Sequence, residues 1–290
     1  MPKKYEIGLS VSRTIGIALD EASFYDMKAG GIDVVEISEG KIQGYEGYVP
    51  AEIKQAADAA GVRLWSLHLP FTPFSQIDLS SPDKAKRDFN HKILSEMIAA
   101  WSAVGIERFV VHPSIEPIED DARGERLKYA AESLAALAEI AAAHGGTIAV
   151  EDLPRTCCGR DSAEILYLLS AHDKLRACLD TNHLLKEDLT DFILAVGERI
   201  ITTHISDYDF INERHWMPGE GDLCWPKVLE ALDKIGYTGP WLYEVAPKAL
   251  PTIHRRDLTF RDYYANAMAL FQGEKPIQIG QRKENLGFLE

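Results

Sequence analysis

Short runs of apolar and β-branched residues alternate along the chain with longer segments of helical periodicity. The strand-like runs are YEIGLS (5–10), IDVVEIS (32–38), VRLWSLHL (62–69), ERFVVH (107–112), TIAVE (147–151), LRACLD (175–180), IITTHIS (200–206) and WLYEV (241–245). Between them lie Ala-, Leu-, Glu- and Lys-rich stretches such as AEIKQAADAA (51–60) and GERLKYAAESLAALAEIAAAH (124–144). Gly61 follows the first and Gly145-Gly146 the second, the residue type that closes a helix in a left-handed conformation. Gly30-Gly31, Gly105 and Gly236 stand just ahead of strand runs, as helix-to-strand turns. Eight strand runs alternating with roughly eight helices, with no linker or composition shift, predict an α/β fold. The expected architecture is one single-domain (β/α)8 TIM barrel over residues 1–290. A doubly wound sheet is the competing architecture, but it normally has fewer strands, and no GxGxxG follows the first run. Residues 272–290 are polar with little periodicity and read as a C-terminal extension.

Composition narrows the class. A hydrophobic content of 46% in 290 residues suffices for a substantial core. No run of about 18 apolar residues is present, so no transmembrane helix is expected. The start, MPKKYEIGLS, lacks the apolar stretch of a secretory signal. Cys157, Cys158, Cys178 and Cys224 form no CxxC pair, which fits a reduced, cytoplasmic protein. The net charge of −14 argues against a broad grip on nucleic acid or anionic membrane, and neither partner is expected.

The chemistry lies at the strand ends. Run two ends near Glu36, three near His68, four at His112, five at Glu151, six at Asp180, seven at His204 with Asp207 beyond, and eight at Glu244. In a parallel barrel these ends share one face, where active sites of the fold are built. One such residue has a plain explanation as a cap or turn former. A ring of them would be a costly cluster of unpaired charges unless a cation neutralised it. Glu151, Asp180, His204 and Glu244, on consecutive strands five to eight, supply three carboxylates and one imidazole. That oxygen-rich set predicts one divalent ion, Mn²⁺ first, with Mg²⁺, Co²⁺ or Zn²⁺ as alternatives.

The motifs VEDLPR, CLDTNH, THISDYD and RHWMPGEGDLCW resemble the xylose-isomerase-like TIM-barrel superfamily. It contains sugar isomerases and epimerases, inosose dehydratases and the endonuclease IV group. The resemblance runs from about residue 5 to 271. It implies that Glu151, Asp180, His204 and Glu244 bind the metal, and that His183, in D-x-x-H, lines the substrate site. It also implies a loop after strand seven that folds over the site, with Arg214 or His215 contacting substrate hydroxyls. By analogy with the epimerases, Glu151 and Glu244 face opposite sides of a ketose carbon and serve as the catalytic acid and base. The activity implied is a sugar or polyol isomerase or epimerase, and dehydration of a keto-polyol requires the same proton abstraction. The expected partner is a sugar, keto-sugar or polyol; a homo-oligomer is left open.

His68 and His112 join the substrate-facing candidates, as does Arg155, for which a surface position is equally compatible. Phe71, Tyr208 and Trp216 are candidates for an apolar wall, and Trp65 for the core. Glu36 reads either as a structural hydrogen-bonding group or as a substrate ligand. Lys248 follows strand eight without a glycine-rich phosphate cradle. A competing reading is an endonuclease IV-like phosphodiesterase with a zinc cluster, for which His68, His112, His183 and the Glu213-Arg214-His215 stretch would be extra ligands. Against it stand VEDLPR in place of that group's LENTAGQG, and the acidic charge. A carbohydrate-binding protein without catalysis would lack one of the two glutamates, and both are present.

Overall fold

The computed structural model describes residues 3–12, 16–39, 48–284 and 286–287. Eight parallel strands form its sheet: β1 (Ile7–Val11), β2 (Val34–Ser38), β3 (Arg63–His68), β4 (Arg108–Val111), β5 (Thr147–Glu151), β6 (Arg176–Asp180), β7 (Ile200–His204) and β8 (Trp241–Tyr243). Helices α1 (Glu21–Gly30), α2 (Pro50–Ala60), α3 (Lys84–Ser102), α4 (Arg123–Ala143), α5 (Ser162–Leu169), α6 (Leu189–Val196), α7 (Trp225–Lys234) and α8 (Phe260–Phe271) alternate with them. The strand order is β7-β6-β5-β4-β3-β2-β1-β8. The ring is drawn together where Ile205 N–H donates to Leu242 C=O at 2.8 Å and Glu244 N–H donates to Ile205 C=O at 3.1 Å. The (β/α)8 barrel is therefore the fold.

Each strand begins and ends within two residues of its expected run. The strands are short and apolar because both faces are covered; all five residues of β1 are buried. Gly61, at φ 70°, closes α2 by donating its N–H back to Ala57 and Asp58. A side chain would rarely adopt that backbone conformation.

Two slips in register set what faces the barrel interior. Between β2 and β3, Val35 pairs with Leu64 and Glu36 with Ser66, so Trp65 is an extra residue. Between β6 and β7, Ala177 pairs with Ile200 and Cys178 with Thr202, so Ile201 is extra. Bulges of this kind let two successive residues serve one face. Trp65 packs with Val34 and Leu242, while the adjacent Ser66 hydroxyl donates to Glu36 at 2.8 Å. Ile201 packs against Val110, Ala149 and Cys178, while Thr202 accepts a hydrogen bond at 3.1 Å from Trp65 Nε1 across the barrel. The Arg108 guanidinium lies 3.7 Å from the centroid of the Trp65 ring. Trp65 is thus core, as expected.

Beyond α8 the structure describes the chain through residue 284 and again at 286–287. β10 (Gln281–Arg282) pairs antiparallel with β9 (Ile253–His254), and Gly280 N–H donates to Glu220 at 2.6 Å. Arg282 forms an ion pair with Asp222 at 2.6 Å. The segment therefore lies along the loops that come after β7 and β8. No described helix is long and apolar enough to cross a membrane.

Trp65→Ala should cost about 3–5 kcal/mol of folding stability, since it empties the interior toward the N-terminal ends of the strands, away from the C-terminal ends. Thermal unfolding measures this; an unchanged midpoint would contradict the packing role.

Candidate functional site

Glu151, Asp180 and His204 end β5, β6 and β7, and Glu244 follows β8 by one residue. The barrel brings one donor atom from each within 4.8 Å of the others. His204 Nδ1 lies 3.1 Å from Glu151, 3.5 Å from Glu244 and 3.8 Å from Asp180. Its other nitrogen, Nε2, is 2.9 Å from Glu36. Glu36 also accepts from the hydroxyls of Ser10 at 3.0 Å and Ser66 at 2.8 Å. The imidazole is thereby aimed, in the carboxylate–histidine arrangement that orients metal ligands. This settles Glu36 as the partner of His204.

Asp180 Oδ2 and Glu244 Oε2 are enclosed and have no hydrogen-bond partner. A buried carboxylate oxygen without a donor is costly. Both point into the four-residue set, so the donors present fit a divalent cation of the oxygen-preferring kind.

The electrostatics agree with that need. Burial pushes Glu244 up to about 7, with the Asp180 and Glu151 charges adding to the rise against His204 and His215. Its side chain is 29% exposed, but Oε2 itself is enclosed. Burial likewise raises Asp180. Glu151 goes the other way: burial would raise it, but the imidazoles of His204 and His112 hold it well below the usual carboxylate range. His204 is shifted up despite burial, because Cys178 and the carboxylates of Glu36, Glu244 and Glu151 surround it.

Further imidazoles gather around this set. His68 Nε2 is 3.0 Å and His112 Nε2 3.2 Å from Glu151 Oε2. His68 Nδ1–H donates to the Leu69 carbonyl at 2.8 Å, which turns Nε2 inward. Phe71 stacks on His112 with 4.2 Å between ring centroids, so it forms a wall at this edge. His183 Nδ1–H donates to the Asp152 carbonyl at 2.8 Å, leaving Nε2 at 3.3 Å from Glu213 Oε2. His183, Glu213 and His215 form a second group of convergent donors.

The loop after β7 carries that group. Asn182 Oδ1 accepts the N–H groups of Arg214 at 2.8 Å and His215 at 3.3 Å, fixing the loop against the end of β6. Asp207 anchors the following turn. It accepts from the N–H groups of Tyr208, Gly219 and Leu223 and from Trp225 Nε1. Gly219 and Gly221 are turn residues, as expected; a Cβ on Gly221 would meet Asp207 Oδ1 at 2.3 Å.

Several expected roles change. Arg214 is buried, and its guanidinium donates to Asp209 at 2.9 Å and to the Gly287 carbonyl at 2.8 Å, not toward the donor sets. Its neighbours Glu213 and His215 face His183 in its place. Arg155 is engaged by Glu116, Asn212 and Glu213. Tyr208 and Trp216 are fully buried, with hydrogen bonds to the Leu184 carbonyl and Thr252, and belong to the loop's core. Sequence reasoning noted Glu213 only in connection with a zinc cluster. Its spacing of two from His215 was the available signal. Asn182 and Glu116 were missed, because their partners are far away in the chain.

A family model for the xylose isomerase-like TIM barrel matches residues 24–262. Among curated proteins, an uncharacterised protein of Methanocaldococcus jannaschii, MJ1311, is 26% identical over 176 residues, 58% of this chain. The match spans 60% of that relative's length. Among solved structures, a D-psicose 3-epimerase determined in the presence of D-fructose superposes with a TM-score of 0.73 at 19% identity, covering 94% of this chain and 100% of that one. The apo form of a 3-keto-D-glucoside 4-epimerase from E. coli gives a TM-score of 0.72 at 19% identity, covering 93% and 100%. At these identities the likeness to the solved structures is one of fold.

Two outcomes are expected. If the four-residue set holds a divalent cation, binding of one, probed with Mn²⁺, should release protons and weaken as pH falls through about 7, because a Glu244 carboxyl with its pKa raised to about 7 would have to lose its proton to act as a ligand. Calorimetry in buffers of different ionisation enthalpy measures the release, and pH-independent binding would contradict it. Glu36→Gln should weaken Mn²⁺ binding about tenfold or more by loosening His204. An unchanged affinity would remove Glu36 from the site.

Proposed function

The chain belongs to the xylose isomerase-like TIM-barrel family, and from that premise we propose that it is a divalent-metal-dependent sugar or polyol isomerase or epimerase. The observation that carries the reading is the pairing of two glutamates, from the ends of strands five and eight, across one imidazole and one enclosed aspartate. The sugar epimerases among its structural neighbours support the same class.

In this proposal Glu151, Asp180, His204 and Glu244 hold the ion, Mn²⁺ first. When bound, the ion supplies Lewis-acid stabilisation of negative charge developing on substrate oxygens. One glutamate takes the proton α to a carbonyl, and the other delivers a proton to the opposite face for epimerisation. Before the ion binds, the imidazoles around Glu151 hold it toward the carboxylate while burial raises Glu244, so the two glutamates sit in different surroundings on the two sides of the set. His68 and His112 hold Glu151 from one side. His183, held by Glu213, lines the place of the substrate, and His215, whose Nδ1 faces the Glu244 carbonyl at 3.2 Å, offers Nε2 to substrate hydroxyls. Phe71, stacked on His112, presents an apolar face for the sugar carbons. Dehydration of a keto-polyol uses the same first step, with the second glutamate protonating the departing hydroxyl.

One observation favours a second reading. The donors His183, Glu213 and His215, and those of His68, Glu151 and His204, offer a second and a third cation position beside the first. A phosphodiesterase with a zinc cluster would use them to activate water and clamp a leaving oxygen. Incision of an abasic-site duplex together with three zinc ions per chain would establish that reading in place of the first.

Glu151→Gln and Glu244→Gln should each abolish solvent-deuterium incorporation into the substrate carbon while leaving the fold intact. The screen covers free ketoses, keto-inositols and hydroxypyruvate. Near-normal exchange in either variant would end the acid–base assignment. Thorough chelation by EDTA should abolish exchange and added Mn²⁺, Co²⁺ or Mg²⁺ restore it; full activity in protein shown metal-free by elemental analysis would contradict the proposal.

A further inference from the structure

Among the described residues, three that are not glycine take positive φ: Arg155 at 53°, Phe210 at 60° and His215 at 50°. All three lie in the loops after β5 and β7, on the face that carries the donor sets. Long or aromatic side chains rarely adopt this conformation, and it persists only where surrounding contacts enforce it.

One of the three, Arg155, joins these loops to a third through its side chain. Its Nε donates to both oxygens of Glu116, at 3.1 and 2.9 Å, and Nη2 also reaches Glu116. Nη1 donates to Asn212 Oδ1 at 2.7 Å, and Nη2 to Glu213 Oε1 at 3.2 Å. Each nitrogen of the guanidinium therefore has an acceptor, and the side chain is 17% exposed. Glu116 belongs to the loop after β4, Arg155 to the loop after β5, and Asn212 and Glu213 to the loop after β7. One planar fork thus ties three loops together, a task that a lysine ammonium cannot perform in the same geometry.

The far end of the chain of contacts is His183. Glu213 holds Arg155 through Oε1 and faces His183 Nε2 through Oε2 at 3.3 Å. His183 is in turn fixed from behind by the Asp152 carbonyl at 2.8 Å. Without the fork, the Glu213 carboxylate, whose side chain is 31% exposed, would lose the guanidinium that faces its Oε1 and keep only the imidazoles of His183 and His215 beside it among the described residues.

We propose that Arg155, braced by Glu116, is a positioning residue that holds Glu213 against His183 and so preforms the His183–Glu213–His215 face on which substrate binds. The proposal rests on the reading of His183 as a substrate-site residue. It replaces the expectation that Arg155 touches substrate itself.

The test uses the full chain loaded with Mg²⁺, as wild type and as Arg155→Met, Arg155→Lys and Glu116→Ala. The ring ¹⁵N resonances of His183 are followed by NMR, and kcat and KM are measured on whichever sugar the wild type turns over. Mn²⁺ affinity and the thermal midpoint serve as controls. Arg155→Met and Glu116→Ala should both move the His183 Nε2 resonance and raise KM about tenfold or more, with kcat changed less and Mn²⁺ affinity preserved. Arg155→Lys should restore part of the effect on KM. A His183 resonance and KM like those of wild type in Arg155→Met and Glu116→Ala would overturn the proposal. So would a parallel collapse of Mn²⁺ affinity and thermal midpoint in all three variants. If the wild type exchanges no sugar proton, the reading of the reaction fails, while the His183 resonance still decides the positioning role.

Discussion

Glu151, Asp180 and Glu244 converge on Nδ1 of His204 at 3.1, 3.8 and 3.5 Å, and bringing three carboxylates this close in a buried setting is the constraint on which the rest of the site depends. Like charges at such spacing oppose one another, and burial removes the water that would screen them. The protein answers with imidazoles around Glu151, and with Glu36 and two serine hydroxyls behind His204. Two oxygens, on Asp180 and Glu244, are still left without a donor. A divalent cation in this set would satisfy both and remove the repulsion.

The barrel sustains this arrangement by dividing its labour along the strands. At one end Trp65, admitted by a register slip, fills the interior, with Arg108 stacked on its ring. The other slip places Ile201 in the interior beside Thr202, and His204 comes two residues later at the mouth. Stability is concentrated in the packed layers, and the polar residues are grouped where the strands end. The segment after α8 adds a brace along the loop after β7, through Gly280 to Glu220 and Gly287 to Arg214.

The fold was legible because strand and helix periods alternate cleanly and glycines mark the helix ends. The first donor set was legible for a related reason: a parallel barrel carries every strand end to one face, so position in the strand substitutes for three-dimensional knowledge. The loops beyond the strand ends were not legible. Arg214 sits between Glu213 and His215 in the sequence, yet its side chain takes the opposite direction, because Asp209 and the Gly287 carbonyl hold it there. Tyr208 and Trp216 are aromatic residues near a strand end, but their hydrogen bonds to Leu184 and Thr252 draw them into the loop's own core. Pairings such as Glu116 with Arg155, or Asn182 with the N–H groups of Arg214 and His215, join segments distant in sequence and leave no periodic trace.

Because the donors at the mouth fall into more than one group, the position and number of bound ions carry more information than any single substitution. Anomalous diffraction from crystals soaked in Mn²⁺ measures both directly. The account predicts one strong peak within coordinating distance of Glu151, Asp180, His204 and Glu244. No peak there, or a peak only elsewhere on the protein, would contradict it.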